Sequence, residues 1–305
     1  MKAAVHEPDS VKTGKSSPAT PDNRSVFVHR RPVGKVPTRV TLGALMCFLG
    51  SACMPGSRFL LAALLFVFLP PVWATPGEVR IAVAANFAPT LRALAEDFSA
   101  NTGHRVQISS GSTGKHYAQI RNGALFDVFL AADSARPTRL EAEGIGIAGS
   151  RFTYAVGRLV LWVPGQTGID RPQDYLRNAR FRHLAIANPR LAPYGVAAQQ
   201  VLETWQLWDR LQDKLVRGEN VAQAYQFVAT GNAQSGLVAL SQLLQGDRDG
   251  RGAYRIIPDR LHTPIMQDAL LLRAGTAAQA FLEYLRSESA ARVIRAAGYG
   301  LPAHS

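Results

Sequence analysis

Val79-Arg-Ile-Ala-Val-Ala-Ala-Asn-Phe-Ala-Pro89 is the stretch whose reading decides the fold. Its first five residues read as a short buried strand. Pro89 then opens a helix with apolar positions at Leu91, Leu94, Ala95 and Phe98, and Asn101-Thr102-Gly103 closes it. Proline at the start of a helix and glycine just past its end follow the usual asymmetry of helix termini. Between strand and helix lies the junction Ala84-Ala85-Asn86-Phe87. In open α/β sheets such junctions, beyond the carboxyl ends of the strands, are where ligands bind.

Working outward, the same alternation repeats. Val106–Ile108 reads as a strand, Lys115–Arg121 as a helix, Asp127–Ala132 as a strand and Pro137–Glu143 as a helix. This order implies a parallel sheet covered on both faces. The pattern then restarts, with strands at Leu159–Val163, His183–Ala187 and Gly236–Leu240, and helices at Val196–Gln206 and Val221–Thr230. A last strand, Met266–Leu272, precedes helices around Ala277–Arg286 and Ser289–Ala296. If these late helices return to the first unit, the chain crosses between units twice. Periodicity alone does not decide that point.

The first quarter belongs to neither unit. Residues 1–40 are basic and rich in Pro, Ser and Thr, and two short apolar runs follow, Leu42–Leu49 and Phe59–Leu69. Arg58 precedes the second run, which ends in Pro70-Pro71-Val72-Trp73-Ala74. These are the marks of a secretory signal, with cleavage expected after Ala74 and delivery to the periplasm. The run is too short to span a bilayer. A start at Met46 or Met54 would account for the long leader, and Arg30-Arg31 lies too far from the apolar run for twin-arginine export. Nine of the 34 Lys/Arg and three of the 22 Asp/Glu precede Thr75, so removal of residues 1–74 leaves 25 and 19 and takes the formal charge from +12 to +6. No basic run with interleaved aromatics tracks a nucleic acid. Both cysteines, Cys47 and Cys53, fall in the leader, so the mature chain has no disulfide and no thiolate site. An acylated Cys53 would make a lipoprotein, but Gly50-Ser51-Ala52 lacks the leucine usual before such a cysteine.

Four strand-to-helix junctions carry the candidate chemistry. Beside the first stands Ser109-Ser-Gly-Ser-Thr-Gly114, with hydroxyls and flexible N–H groups at a helix start, a natural anion cradle. Ala192-Pro-Tyr-Gly195 and Glu219-Asn220-Val221 open two further helices. Taken singly, Ser, Thr and Asn before a helix are caps and Pro-Tyr-Gly is a turn; four together in two units ask for a ligand. Asn86 could cap its helix or donate its amide.

Competing chemistries fit poorly. A P-loop fails on spacing, because Ser109 takes the place of the glycine and His116 follows Lys115, which reads as a solvated side chain. No G-x-S-x-G elbow, H-E-x-x-H or paired-histidine spacing occurs. The five histidines of the mature chain, His104, His116, His183, His262 and His304, read as surface or isolated residues. Asp127 and Asp133 bracket a strand and are expected to cap and stabilise rather than react. A periplasmic hydrolase using Ser112 or Ser110 stays open as the alternative of a different class. An organic-solute binder would want an Arg and an acid at the junctions, which show neither.

At these junctions the sequence resembles the molybdate-binding proteins of bacterial ABC transporters, from about Val79 to Pro302. The resemblance rests on Ala85-Asn86-Phe87, Ser109–Gly114, Tyr117-Ala-Gln-Ile120, Asn122-Gly123-Ala124 and Gly149-Ser-Arg-Phe-Thr-Tyr154. It continues through Ile186-Ala-Asn-Pro189, Ala192–Gly195, Phe227-Val-Ala-Thr-Gly231 and Ala296-Ala-Gly-Tyr-Gly-Leu-Pro302. It implies an α/β fold of two lobes, the type II periplasmic-binding-protein form, with mixed sheets, helices on both faces and a ligand cleft between lobes. The expected boundaries are 75–158 plus 264–305 for one lobe and 159–263 for the other. The implied ligand contacts are Ala85, Asn86, Ser112, Thr113, Tyr194 through its backbone N–H, and Val221. Some members add a tyrosine hydroxyl from the next strand. Leu237-Val-Ala-Leu240 has none here, so Ala239 supplies no such hydroxyl and is left out of the implied contacts. The implied function is reversible capture of molybdate or tungstate by a monomer that serves a membrane permease, with no enzymatic activity, no cofactor and no metal-cation site.

The residues agree with an oxyanion. Every implied contact is a neutral donor, and helix starts supply partial positive charge where water is excluded. Donors alone suit a fully ionised dianion. Monohydrogen phosphate would bury a proton without an acceptor, at a cost of about 1–3 kcal/mol. Sulfate is also fully ionised and remains the alternative ligand; only the resemblance separates it from molybdate.

Overall fold

A computed structural model describes residues 76–246 and 252–302; the expected signal peptide, the expected cleavage after Ala74 and Cys53 lie outside the described residues. In chain order the elements are β1 Glu78–Ala84, α1 Ala88–Thr102, β2 Arg105–Gly111, α2 Thr113–Arg121, β3 Val128–Leu130 and α3 Ala135–Ala142. Next come β4 Phe152–Gly157, β5 Leu159–Val163, α4 Pro172–Asn178, β6 Leu184–Ala187, α5 Pro193–Thr204, α6 Trp208–Leu211 and β7 Leu215–Gly218. The chain continues with α7 Val221–Ala229, β8 Ser235–Ala239, α8 Leu240–Gln245, β9 Ala253–Ile256, β10 Ile265–Leu271, α9 Thr276–Leu285 and α10 Glu288–Ala296.

Two five-stranded sheets form, in the orders β2-β1-β3-β10-β4 and β7-β6-β8-β5-β9. Each has the same plan. Three parallel strands carry the helix starts, and a strand from across the molecule joins them antiparallel: β10 beside β3 and β4, β5 beside β8 and β9. Strand–helix order alone implied a parallel first sheet; the sheet is mixed, as the family resemblance implied. The strand–helix order reveals neither β4 nor the return of β10, because antiparallel partners joined through another lobe leave no local signature.

Burial follows strand periodicity, alternate residues facing opposite ways. Val79, Ile81 and Val83 point into a core shared with α1, α9 and α10, while Ala82 faces the core under α2 and α3. The last two helices therefore do return to the first sheet. A larger core surrounds the second sheet and reaches across to Ala84 and Ala132. The helix ends are chemically fixed. Gly103 adopts φ 73° and closes α1 by donating to the Ser99 carbonyl, and Ser112, Asn220 and Ser287 cap α2, α7 and α10 with their side chains. Such caps contribute about 1 kcal/mol each.

Two crossings join the lobes, one at Arg158 between β4 and β5 and one from β9 to β10. Among the described residues no helix is long and apolar enough to cross a membrane.

Candidate oxyanion site

Each candidate residue sits where a parallel strand passes into a helix. β1 and β2 pair in register to Ala84 and Gly111, and the Ala85 N–H donates to the Gly111 carbonyl at 2.8 Å. The starts of α1 and α2 therefore lie side by side. In the second sheet β6 pairs with β7 to Ala187 and Gly218, and the Asn188 N–H donates to the Gly218 carbonyl at 2.7 Å. That brings the starts of α5 and α7 together. The two pairs then meet: the Gly114 N–H donates to the Leu191 carbonyl at 2.9 Å, and Lys115 Nζ lies 3.1 Å from Glu219 Oε1. Ala85, Asn86, Ser112, Thr113, Tyr194 and Val221 are all at least 94% buried. A cavity of about 350 Å³ opens beside Ala85, bounded across the cleft by Ala222, Gln226, Gln242 and Gln245.

The donors can be counted. Ser112 Oγ accepts from the Lys115 N–H at 3.3 Å, and Thr113 Oγ1 accepts from the Ala132 N–H at 3.0 Å. Each hydroxyl thus uses a lone pair within the fold and keeps its proton to donate. The backbone N–H groups of Thr113, Tyr194 and Val221 lie in first helical turns, which have no intrahelical acceptor. No partner for them occurs among the described residues. Ala85 offers no spare donor, since its N–H is committed to Gly111.

Asn86 differs from the sequence expectation. It neither caps α1, whose cap residue is Phe87 without a side-chain bond, nor keeps its amide free. Its Nδ2 donates to Gln267 Oε1 at 3.0 Å and to the Tyr299 hydroxyl at 3.1 Å, which uses both amide protons. The Tyr299 hydroxyl donates back to the Asn86 carbonyl at 2.8 Å. The Asn86 side chain is therefore anchored within the fold, and its backbone N–H, for which no partner occurs among the described residues, is its remaining donor. The Tyr194 side chain is likewise turned away, its hydroxyl 3.4 Å from Gln267 Nε2. Burial pushes the Tyr154, Tyr194 and Tyr299 hydroxyls above the usual phenol range, so this network stays uncharged.

Sequence reasoning gave no role to Tyr154 or Tyr299, though both lie in the motifs quoted, and it passed over Gln267 and the contact of Gly114 with Leu191. One signal was available: Gln267 and Asp268 are adjacent polar residues in an otherwise apolar buried strand. Three histidines depart from a surface reading, His104, His116 and His262, at 5%, 2% and 7% exposure; the first two rings pack against Phe98 and Phe126, and His262 Nδ1 lies 2.9 Å from the Thr263 carbonyl. Burial lowers the His116 pKa; its Nδ1 meets Gln119 Oε1 at 3.1 Å. Lys115 is half exposed but paired with Glu219 rather than simply solvated. Asp127 is held below the usual carboxylate range, since its bonds to Arg80 outweigh its burial, and Asp133 accepts from the Arg136 N–H in the first turn of α3. Ala239 is buried in β8 and contributes no polar side chain.

Two lobes whose facing helix starts gather neutral donors define a solute-binding protein of the cleft type. The chain belongs to the bacterial extracellular solute-binding proteins, the family whose pattern matches residues 79–300. It is similar to the molybdate-binding protein ModA of Azotobacter vinelandii, 50% identical over 231 residues that cover 75% of this chain and 92% of that one. The ModA molybdate-binding protein of Rhodobacter capsulatus is 43% identical over 229 residues, 74% of this chain and 89% of that one. Among solved structures, the periplasmic molybdate-binding protein of Azotobacter vinelandii matches with a TM-score of 0.70 at 41% identity, over 74% of this chain and 100% of that chain.

Proposed function

We propose that this protein is the periplasmic solute-binding component of an ABC importer, a monomer that captures molybdate, and tungstate as its near-equivalent, between its lobes and delivers it to a membrane permease. The observation that carries this reading is the meeting of four helix starts whose free groups are all donors. Ser112 and Thr113 give hydroxyl protons, while Asn86, Thr113, Tyr194 and Val221 give backbone N–H groups. Ala85 lines the site with its methyl group and lets the anion approach. Two cations beside the helix starts are already paired, Lys115 with Glu219 and Arg136 with Asp133, while the exposed Arg92 lines the mouth of the cavity. The anion is then held by helix-end dipoles and hydrogen bonds in a dry site, where such donors act most strongly. The ModA relatives supply the choice of molybdate. Residues 75–158 with 264–305 and residues 159–263 are the two bodies that close on it.

A hydrolase at Ser112 finds no support in this geometry. The partner of Ser112 Oγ is a backbone N–H, and His116 Nδ1 meets Gln119, so among the described residues no base is hydrogen-bonded to the hydroxyl. Titration of the purified protein with molybdate tests the proposal. Saturable binding at one site per chain supports it; sulfate binding without molybdate binding replaces it with a sulfate carrier.

A further inference from the structure

Gln267 is fully buried, and its amide reaches both sides of the cleft. On the first lobe its Oε1 accepts from Asn86 Nδ2 at 3.0 Å and from the Tyr154 hydroxyl at 3.1 Å. On the second its Nε2 faces the Tyr194 hydroxyl at 3.4 Å. One side chain thus ties Asn86 of the first ligand-facing junction to Tyr194 of the third.

The backbone around it is arranged for this reach. The pairing of β10 with β4 shifts register between Gln267 and Asp268, a bulge of the sort that re-aims a side chain beside a site. Asp268, itself fully buried, pins the bulge to β4 and its approach: Arg151 Nη1 and Thr153 Oγ1 each lie 2.7 Å from its carboxylate. Gly157 stands at the first crossing between lobes. A Cβ there would lie 2.3 Å from the Tyr194 hydroxyl oxygen and 2.8 Å from Gln267 Nε2, so the meeting of these two groups requires glycine. The amide therefore occupies the hinge itself.

We propose that Gln267 is a positioning residue that sets the separation of the Asn86 and Tyr194 junctions, and with it the size of tetrahedral oxyanion the closed cleft accepts. The inference rests on the oxyanion reading above. Molybdate and sulfate carry the same charge and the same shape and differ in size, so donors alone cannot tell them apart. A spacer that fixes the distance between donors can. Gln267 touches no ligand in this account; it acts through Asn86 and Tyr194.

The test is the ratio of molybdate to sulfate affinity, measured by calorimetric titration, together with melting curves of the ligand-free proteins. Gln267→Met keeps the length and removes the hydrogen bonds; Gln267→Asn keeps the amide and shortens its reach. Each is expected to reduce the preference for molybdate by about tenfold or more, mainly through weaker molybdate binding. A merely structural role predicts a lower melting temperature with the ratio unchanged, and a ratio within about twofold of wild type in the folded variants overturns the proposal. If neither variant folds, Tyr194→Phe breaks the same bridge from the second lobe while keeping the ring, and the same two outcomes apply. The wild-type titration separates the layers. A wild type that binds neither anion overturns the functional reading and this inference with it, whereas a wild type that binds, beside variants of unchanged ratio, overturns the inference alone.

Discussion

Thr113 does two jobs with one hydroxyl. Its oxygen accepts from the Ala132 N–H, and its proton is free for the ligand. Thr113→Ala removes a hydrogen bond to a charged group, worth about 1.5–3 kcal/mol, so molybdate affinity should fall by about tenfold to a hundredfold in a calorimetric titration. Asn86→Ala should also weaken binding, but by a different route: the amide is lost to Gln267 and Tyr299, and the junction loosens while its N–H survives. Unchanged affinity in both variants would move the site elsewhere. His116 sets a separate, pH-dependent term. Its folded-state pKa is lowered by burial, so the unfolded chain takes up the proton first. Stability should be full above pH about 6.5 and decline as pH falls below that value. Denaturant melts between pH 5 and 8 should show this slope, and His116→Gln should flatten it. At this scale the sequence was readable where function coincides with a local motif. Ser112, Thr113, Tyr194 and Val221 all stand at helix starts that proline, serine or asparagine announce. It was not readable for Gln267 or Tyr299, whose roles depend on contacts 181 and 213 residues away along the chain.

Among the elements, α2 shows how a helix start can serve both ligand and closure. Gly114, in its first turn, donates to Leu191 on the other lobe, and a Cβ there would sit 2.8 Å from the Leu191 carbonyl oxygen. Gly114→Ala should favour the isolated helix by about 0.5–1 kcal/mol while obstructing the meeting of the lobes, at the 1–3 kcal/mol typical of overpacking. The expected signature is an unchanged or raised melting temperature without ligand, together with molybdate affinity reduced about tenfold. A variant that melts earlier yet binds as wild type would show that α2 does not meet Leu191 in the bound form. The neighbouring Lys115–Glu219 pair is half exposed, so Lys115→Ala should matter little, the ordinary fate of a surface ion pair. Helices with strong punctuation were legible, including α1 from Pro89 to Gly103 and α7 from Asn220 onward. The edge strand β9, with three of its four residues exposed, and the four-residue β7 have no alternation to read. Their existence depends on β5 and β6 lying beside them.

The described residues form two sheets on one plan, each completed by a strand that comes from the other side. This exchange makes two crossings, and the core around the second sheet reaches across them to Ala84 and Ala132. Contacts between the lobes run beyond the junctions, with Gln245 Nε2 donating to Thr90 Oγ1 at 3.0 Å and Ser241 Oγ reaching the Asn86 carbonyl at 3.4 Å. The parallel halves and the doubled α/β pattern could be read from strand–helix order, but the antiparallel exchange could not, because it pairs residues far apart in sequence. Ligand specificity belongs to this scale, since it needs both lobes at a fixed separation. The most direct measurement is a competition titration of the mature wild-type protein with molybdate, tungstate and sulfate, followed by both calorimetry and thermal shift. Molybdate at about 100 times its dissociation constant should add about 2.7 kcal/mol to unfolding stability, with tungstate nearly equal and sulfate far behind. A melting curve unmoved by molybdate and raised by sulfate would contradict the account.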